Sequence, residues 1–195
     1  MRTGDELAPS YSVIRDRCGL PFSSQTNCSK EDGYGVCTSP MKTNAKLSDC
    51  RTYRYALWRI WDESKPYAMF IGLNPSTADE TEDDPTIRRC VAFARDWGYG
   101  GLCMANLFAF RATNPGDMMQ AQDPVGPDND EWLKKLSCDA GVVVAAWGNG
   151  GSYLGRSQKV LFDFPNLMCL KQNQSGEPVH PLYQPGSSVP KAMGR

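Results

Sequence analysis

Apolar and polar positions divide this chain into two unequal parts. Beyond residue 50, short apolar runs alternate with amphipathic stretches and turn-rich loops, whereas residues 1–50 are rich in Ser, Thr, Asn, Gly and Pro and show little periodicity. Pro21, Gly33, Gly35 and Pro40 interrupt any long element there, since proline lacks an amide donor and glycine is entropically costly in regular structure. Residues 1–50 therefore read as a loop-rich extension, and residues 51–195 as a single α/β domain.

Within that domain the pattern predicts strands and helices in turn. Residues 53–61 are aromatic and β-branched, residues 62–66 supply a turn, and residues 67–73 form a buried strand, so the simplest reading is an antiparallel hairpin whose first strand lies at or near a sheet edge. Asp83, Asp84 and Pro85 announce a helix, because an acidic N-cap and a proline at the first helical position satisfy and preorganise the first turn. That helix runs to Trp97 and is closed by Gly98, with Ile87, Cys90, Val91, Ala94 and Trp97 on its apolar stripe. A second core strand follows at 102–108. Asp128 starts a short helix over 131–136, and residues 141–147 make a continuous apolar strand suited to the interior of a parallel sheet. A glycine-rich turn, a helix over 152–162 and a last short strand at 167–170 complete the series.

This order implies right-handed crossovers between parallel strands. The expected fold is a three-layer α/β/α sandwich with a mainly parallel central sheet of about four strands plus an antiparallel edge hairpin strand.

Composition narrows the picture. With 195 residues, 41% hydrophobic content and five Trp, the chain can bury one sizeable core. A net charge of -1 argues against a broad, non-specific nucleic-acid coat, and a local basic groove is compatible with it. No apolar run approaches the ~20 residues that span a bilayer, and no secretory leader is legible, so a cytoplasmic protein without a membrane partner is expected. In that setting the eight cysteines read as reduced thiols. Cys90, Cys103 and Cys169 sit in apolar segments. Cys18, Cys28, Cys37 and Cys50 lie in the polar extension without C-x-x-C spacing, so scattered thiols are the simpler reading there and a structural zinc site the alternative. No cofactor is expected.

Candidate chemistry collects at the carboxyl ends of the strands, where open α/β sheets place their ligands. The first strand ends in Gly72, Leu73, Asn74 and Pro75, followed by Ser76 and Thr77. The second contributes Asn106, Phe108 and Arg111, and the third Trp147, Gly148 and Asn149. His180, the only histidine, follows the fourth and is stiffened by Pro181. Asn106 either bonds to neighbouring backbone or reads a ligand. The glycine-rich turn after Trp147 either packs tightly or cradles a phosphate, although it lacks the Walker and dinucleotide spacings. Arg54, Arg59, Arg88, Arg89 and Arg95 are solvated or locally paired cations in the simpler reading and contacts to phosphate, or for Arg54 and Arg59 to carboxylate, in the sharper one, with Arg54 and Arg88 the foremost phosphate candidates.

Two resemblances follow from these residues. The chain from Tyr53 to Tyr183, with Gly72 to Asp79, Asp84 to Arg88, Asn106 to Phe108, Arg111 to Thr113, Gly126 to Asp130, Trp147-Gly148 and His180 to Tyr183, resembles the domain-of-unknown-function family 1643. More distantly, Gly72, Asn74 and Pro75, then Asn106, Trp147-Gly148 and His180-Pro181, resemble in order and placement the motifs of the uracil-DNA glycosylase superfamily. That resemblance implies that Asn74 positions a water, that His180 donates a hydrogen bond to a departing base, and that Asn106 reads a base flipped out of its stack. Leu182 and Tyr183 replace the Ser and second Pro usual after that His-Pro, which leaves DNA and free nucleosides both open as substrates.

The expected function is hydrolysis of the N-glycosidic bond of a modified base in DNA or a nucleotide. One alternative is a non-catalytic module that recognises such a base; a weaker one is a metal-dependent phosphoryl-transfer enzyme using Asp79, Asp83 and Asp84.

Overall fold

Every residue from Ala68 to Ile71 is fully buried, as a strand covered on both faces requires, and no polar position alternates along it. The computed structural model describes residues 40–76, 78 and 81–194. In chain order these form β1 (Lys42–Leu47), β2 (Arg54–Ile60), β3 (Tyr67–Gly72), α1 (Pro85–Asp96), β4 (Gly101–Asn106), α2 (Pro115–Met119), α3 (Asn129–Cys138), β5 (Ala140–Ala145), α4 (Arg156–Asp163), β6 (Met168–Cys169) and β7 (Lys191–Ala192). Short 3₁₀ segments lie at Gly148–Gly155 and Pro181–Tyr183.

The strands make one sheet in the order β1-β2-β4-β3-β5-β6-β7. Its centre, β4-β3-β5-β6, is parallel, while β1-β2, β2-β4 and β6-β7 are antiparallel. The sheet is therefore mixed, with as many antiparallel as parallel pairings, where the sequence led us to expect a mainly parallel one.

One apolar cluster lies on each face. Met69, Ile71, Cys103 and Ala105 pack with Leu133 and Leu136 of α3 and Val160 of α4. On the other face Ala68, Phe70, Leu102 and Met104 pack with Ile87, Cys90, Phe93 and Ala94 of α1. The alternation along β3 and β4 assigns successive residues to opposite clusters. Helix α1 forms as its sequence predicts: Asp84 accepts the Ile87 N–H at 2.8 Å, and Pro85 opens the first turn.

The expected hairpin is corrected. β2 does not pair with β3; β4 lies between them, antiparallel to β2 and parallel to β3. Gly100 explains how the chain manages this. The connection over 61–66 passes across the start of β4, with Trp61 and Asp62 N–H groups donating to the Gly100 carbonyl at 3.0 and 2.9 Å. A Cβ on Gly100 would lie 2.0 Å from the Asp62 carbonyl oxygen, so only glycine admits the crossing.

β2 lies one strand in from the sheet edge, because β1 pairs along its outer side. β1 falls within the stretch read as loop-rich; its mostly exposed, polar residues carry no apolar alternation, and pairing with β2 supplies the order that burial does not. β7 is likewise exposed and pairs with β6, inside a segment whose Gly, Ser and Pro content suggested a loose end. Residues 1–39 lie outside the described residues, and with them Cys18, Cys28 and Cys37. Cys50 is an exposed free thiol, and Cys90, Cys103 and Cys169 are buried free thiols. No helix among the described residues is long and apolar enough to cross a membrane.

Candidate functional site

The carboxyl ends of β3, β4 and β5 and the N-terminus of α1 surround a cavity of about 220 Å³. Gly72, Leu73, Asn74 and Ser76 line it from the loop after β3, Met104 and Asn106 from β4, Ala146 and Trp147 from the end of β5, and His180 and Pro181 from the last polar loop. Arg54 of β2 and Asp84, Thr86 and Ile87 at the start of α1 complete the wall, with Pro115 at the start of α2. The volume is below the ~300–1,000 Å³ of drug-sized sites, so it suits one ring system with little attached to it.

Asn74 is fixed by its own loop. Its Nδ2 donates to the carbonyl oxygens of Ala112 at 2.7 Å and Pro75 at 3.1 Å. With both amide hydrogens spent on backbone, Oδ1 is the atom left for a ligand, and it can only accept. The neighbouring Ser76 donates its hydroxyl hydrogen to Asp84 Oδ2 at 2.7 Å.

Asn106 sits at the end of β4, 3% exposed, and its Nδ2 has no hydrogen-bond partner. A buried amide donor left unpaired costs about 1–3 kcal/mol, which a ligand acceptor in the cavity would recover. The residue is held by the chain on either side of it. Asn129 of α3 donates Nδ2 to the carbonyls of Asn106 at 3.1 Å and Leu107 at 2.9 Å. Arg156 of α4 donates twice to the Leu107 carbonyl and once, at 2.8 Å, to Asp130. The Gly126–Asp130 motif thus fixes the end of β4. Gly72 leaves the space that the Asn106 amide fills, since a Cβ there would lie 2.8 Å from its Oδ1.

His180 is the N-cap of the Pro181–Tyr183 turn, its Nδ1 accepting the Leu182 N–H at 3.4 Å. Burial lowers its pKa below the ordinary 6.5, with the Asp84 carboxylate pulling the other way. A neutral imidazole that accepts at Nδ1 carries its proton on Nε2 and can donate there. Trp147, 2% exposed, donates Nε1 to Glu177 Oε2 at 2.6 Å, and Ser157 donates to Glu177 Oε1 at 2.7 Å. These bonds hold the indole as a fixed wall.

Other candidates stand apart from the cavity. Phe108 is fully buried in the core, 5.6 Å from the Tyr153 ring. Arg111 donates to the Arg51 carbonyl at 3.3 Å, and exposed Arg88 to the carbonyl of Asp83. Pro75 shapes the loop, its carbonyl accepting from Ala112 N–H and Asn74. Gly148, with φ of 69°, turns the chain after β5. Asn149 lines a separate polar groove of about 600 Å³ with Ser152, Gln158, Asn173, Gln174, Ser175 and Glu177. Several of these bond to one another, as Ser175 does to Asn173 at 2.7 Å, so the smaller cavity, where unspent polar groups converge, is the stronger site. Arg59 is buried and pairs with Asp83 at 2.8 Å. Thr77 and Asp79 lie outside the described residues, among which no group of three or more His, Cys, Asp or Glu could hold a metal ion.

Asp84 was read from the sequence as a helix cap and as one of three carboxylates of the metal-dependent alternative, but not as part of the wall that it shares with Asn74 and His180. Its capping role was legible and sufficient by itself; the further signal was that a helix starting just after the Asn74 loop begins at the rim where the strands end.

Fold and cavity define an α/β protein with a mixed sheet, whose ligand-facing groups stand at the carboxyl ends of its parallel strands. The chain belongs to the family described as Protein of unknown function (DUF1643), which matches residues 54–182 and so takes in every element from Arg54 to His180. No curated protein and no solved structure matches it.

Proposed function

We propose that this protein hydrolyses the N-glycosidic bond of a modified nucleobase, in DNA or in a nucleotide, on a three-layer α/β/α scaffold of the uracil-DNA glycosylase kind. The observation that carries this reading is that Asn74, Asn106, Trp147 and His180, from four separate segments, line one cavity of single-ring size. Asn74 Oδ1 accepts a hydrogen bond from the attacking water. The Asn106 amide pairs with the edge of the base, and Trp147 walls its face. His180 donates Nε2–H to the base as negative charge develops on it, and a fixed neutral donor in a water-poor site is well suited to that task.

The test is incubation with a panel of modified DNAs, nucleosides and nucleotides, with released base read by mass spectrometry. Asn74→Ala and His180→Ala are expected to abolish release while the proteins stay folded; undiminished turnover in both overturns the assignment. One observation favours a binding module instead: an amide cannot act as a general base, and Asn74 has already spent its hydrogens on backbone. Calorimetric binding of a base or nucleotide without release by the wild type selects that reading.

A further inference from the structure

We propose that Ser76, backed by Asp84, is the proton acceptor of this cavity, taking the proton that the attacking water gives up; the proposal rests on the N-glycosidic reading above. Ser76 and Asp84 both line the cavity, and the hydroxyl donates to Asp84 Oδ2 at 2.7 Å. Because that hydrogen is committed to a carboxylate, Ser76 turns only lone pairs to the interior. Asp84 Oδ1 is fixed by the Ile87 N–H at 2.8 Å, so the carboxylate cannot swing away. With Asn74 Oδ1 this makes a run of acceptors along the loop after β3, which suits a small molecule with hydrogens to give.

A capped helix start is not by itself a site. Here the same cavity holds the Asn106 amide, 3% exposed and unpartnered at Nδ2, which marks it as built for a ligand. The charged and titratable groups around the pair are Arg54 of β2, His180 from the last loop, and Cys90 on the same helix, the last two coupled to the Asp84 charge.

The step balances. Water oxygen bonds to the anomeric carbon as the carbon–nitrogen bond breaks, and that electron pair leaves on the base. The water proton passes to Ser76 Oγ while the Ser76 proton passes to Asp84 Oδ2. The negative charge moves from Asp84 to the base, where His180 Nε2–H meets it.

Asp84→Asn is the informative variant, because asparagine caps helices as well as aspartate does and the fold is expected to survive. Base release by this variant should fall about 100-fold in kcat with KM little changed, the scale of lost general base catalysis. Azide, a nucleophile with no proton to surrender, should restore release with a glycosyl azide as product. Ser76→Ala should lose turnover in the same direction and respond to azide in the same way. Undiminished kcat in Asp84→Asn, or a loss that azide does not repair, overturns the proton relay while wild-type release upholds the glycosidic reading. If the wild type releases no base from any member of the panel, both fall.

Discussion

The His180 imidazole accepts the amide hydrogen of Leu182 at Nδ1, 3.4 Å away, and this bond sets the tautomer of the only histidine in the chain. Protonation would place a hydrogen on Nδ1 and break it. Burial lowers the His180 pKa below 6.5 and Asp84 opposes that shift, so the ring is neutral at pH 7. Nitrogen-resolved NMR should show the hydrogen on Nε2 and a midpoint below 6.5, and Asp84→Asn should move that midpoint lower still. The linkage has a definite sign: between the folded value and 6.5 the unfolded chain binds more protons, so stability rises with pH there and is lost on acidification. His180→Gln should flatten the melting temperature across that window.

Gly72 and Asn106 occupy paired positions on adjacent strands. A methyl group on Gly72 would meet Asn106 Oδ1 at 2.8 Å, and the amide must move because β3 and β4 cannot. Gly72→Ala should therefore cost about 1–3 kcal/mol in stability and weaken ligand binding by far more than the volume change alone explains. Denaturant titration and calorimetry on one preparation separate the two effects; equal binding by the variant would show that Asn106 does not read the ligand.

Part of this fold was legible in the sequence and part was not. β3 and α1 were legible because each carries its own signal, an unbroken apolar run in one and the Asp84-Pro85 cap in the other. The meeting of Asn74, Asn106, Trp147 and His180 also followed, since parallel strands deliver their carboxyl ends to one rim. The partner of β2 was not legible. A turn between two strand-like runs reads as a hairpin, and nothing local to residues 53–73 reveals that β4 intervenes. Arg111 and Asn149 share the right loops with cavity residues but bond elsewhere, to Arg51 and Asn173, a choice made by contacts distant in sequence. β1 was missed because its exposed residues lack a hydrophobic face to read.

Trp147 and Glu177 test the wall of the cavity. The indole N–H and the Ser157 hydroxyl satisfy the two Glu177 oxygens, and Glu177 as a whole is 9% exposed. Trp147→Phe removes one donor and leaves a buried carboxylate oxygen unpaired, at a cost of about 1–3 kcal/mol. Changing both residues, Trp147→Phe with Glu177→Gln, should recover part of that loss, because the charge is gone. A double-mutant cycle by chemical denaturation measures the coupling, and additive losses would mean that the bond contributes nothing.

Gly100 stands where the connection between β2 and β3 crosses the start of β4. The Gly100 N–H donates to the Pro66 carbonyl at 3.0 Å while its own carbonyl accepts from Trp61 and Asp62, so this residue carries the connection over the start of β4 on its backbone alone. A Cβ would stand 2.0 Å from the Asp62 oxygen and 2.8 Å from the Lys65 Cβ, and the first of these is main chain that cannot rotate aside. Gly100→Ala should thus destabilise by about 3 kcal/mol, whereas Gly98→Ala, where nothing stands within 4 Å but φ is +82°, should lose only the smaller cost of a strained backbone, about 1 kcal/mol. Comparison of the two by urea denaturation separates steric exclusion from backbone preference, and equal losses would show that the crossing over β4 does not depend on the missing side chain.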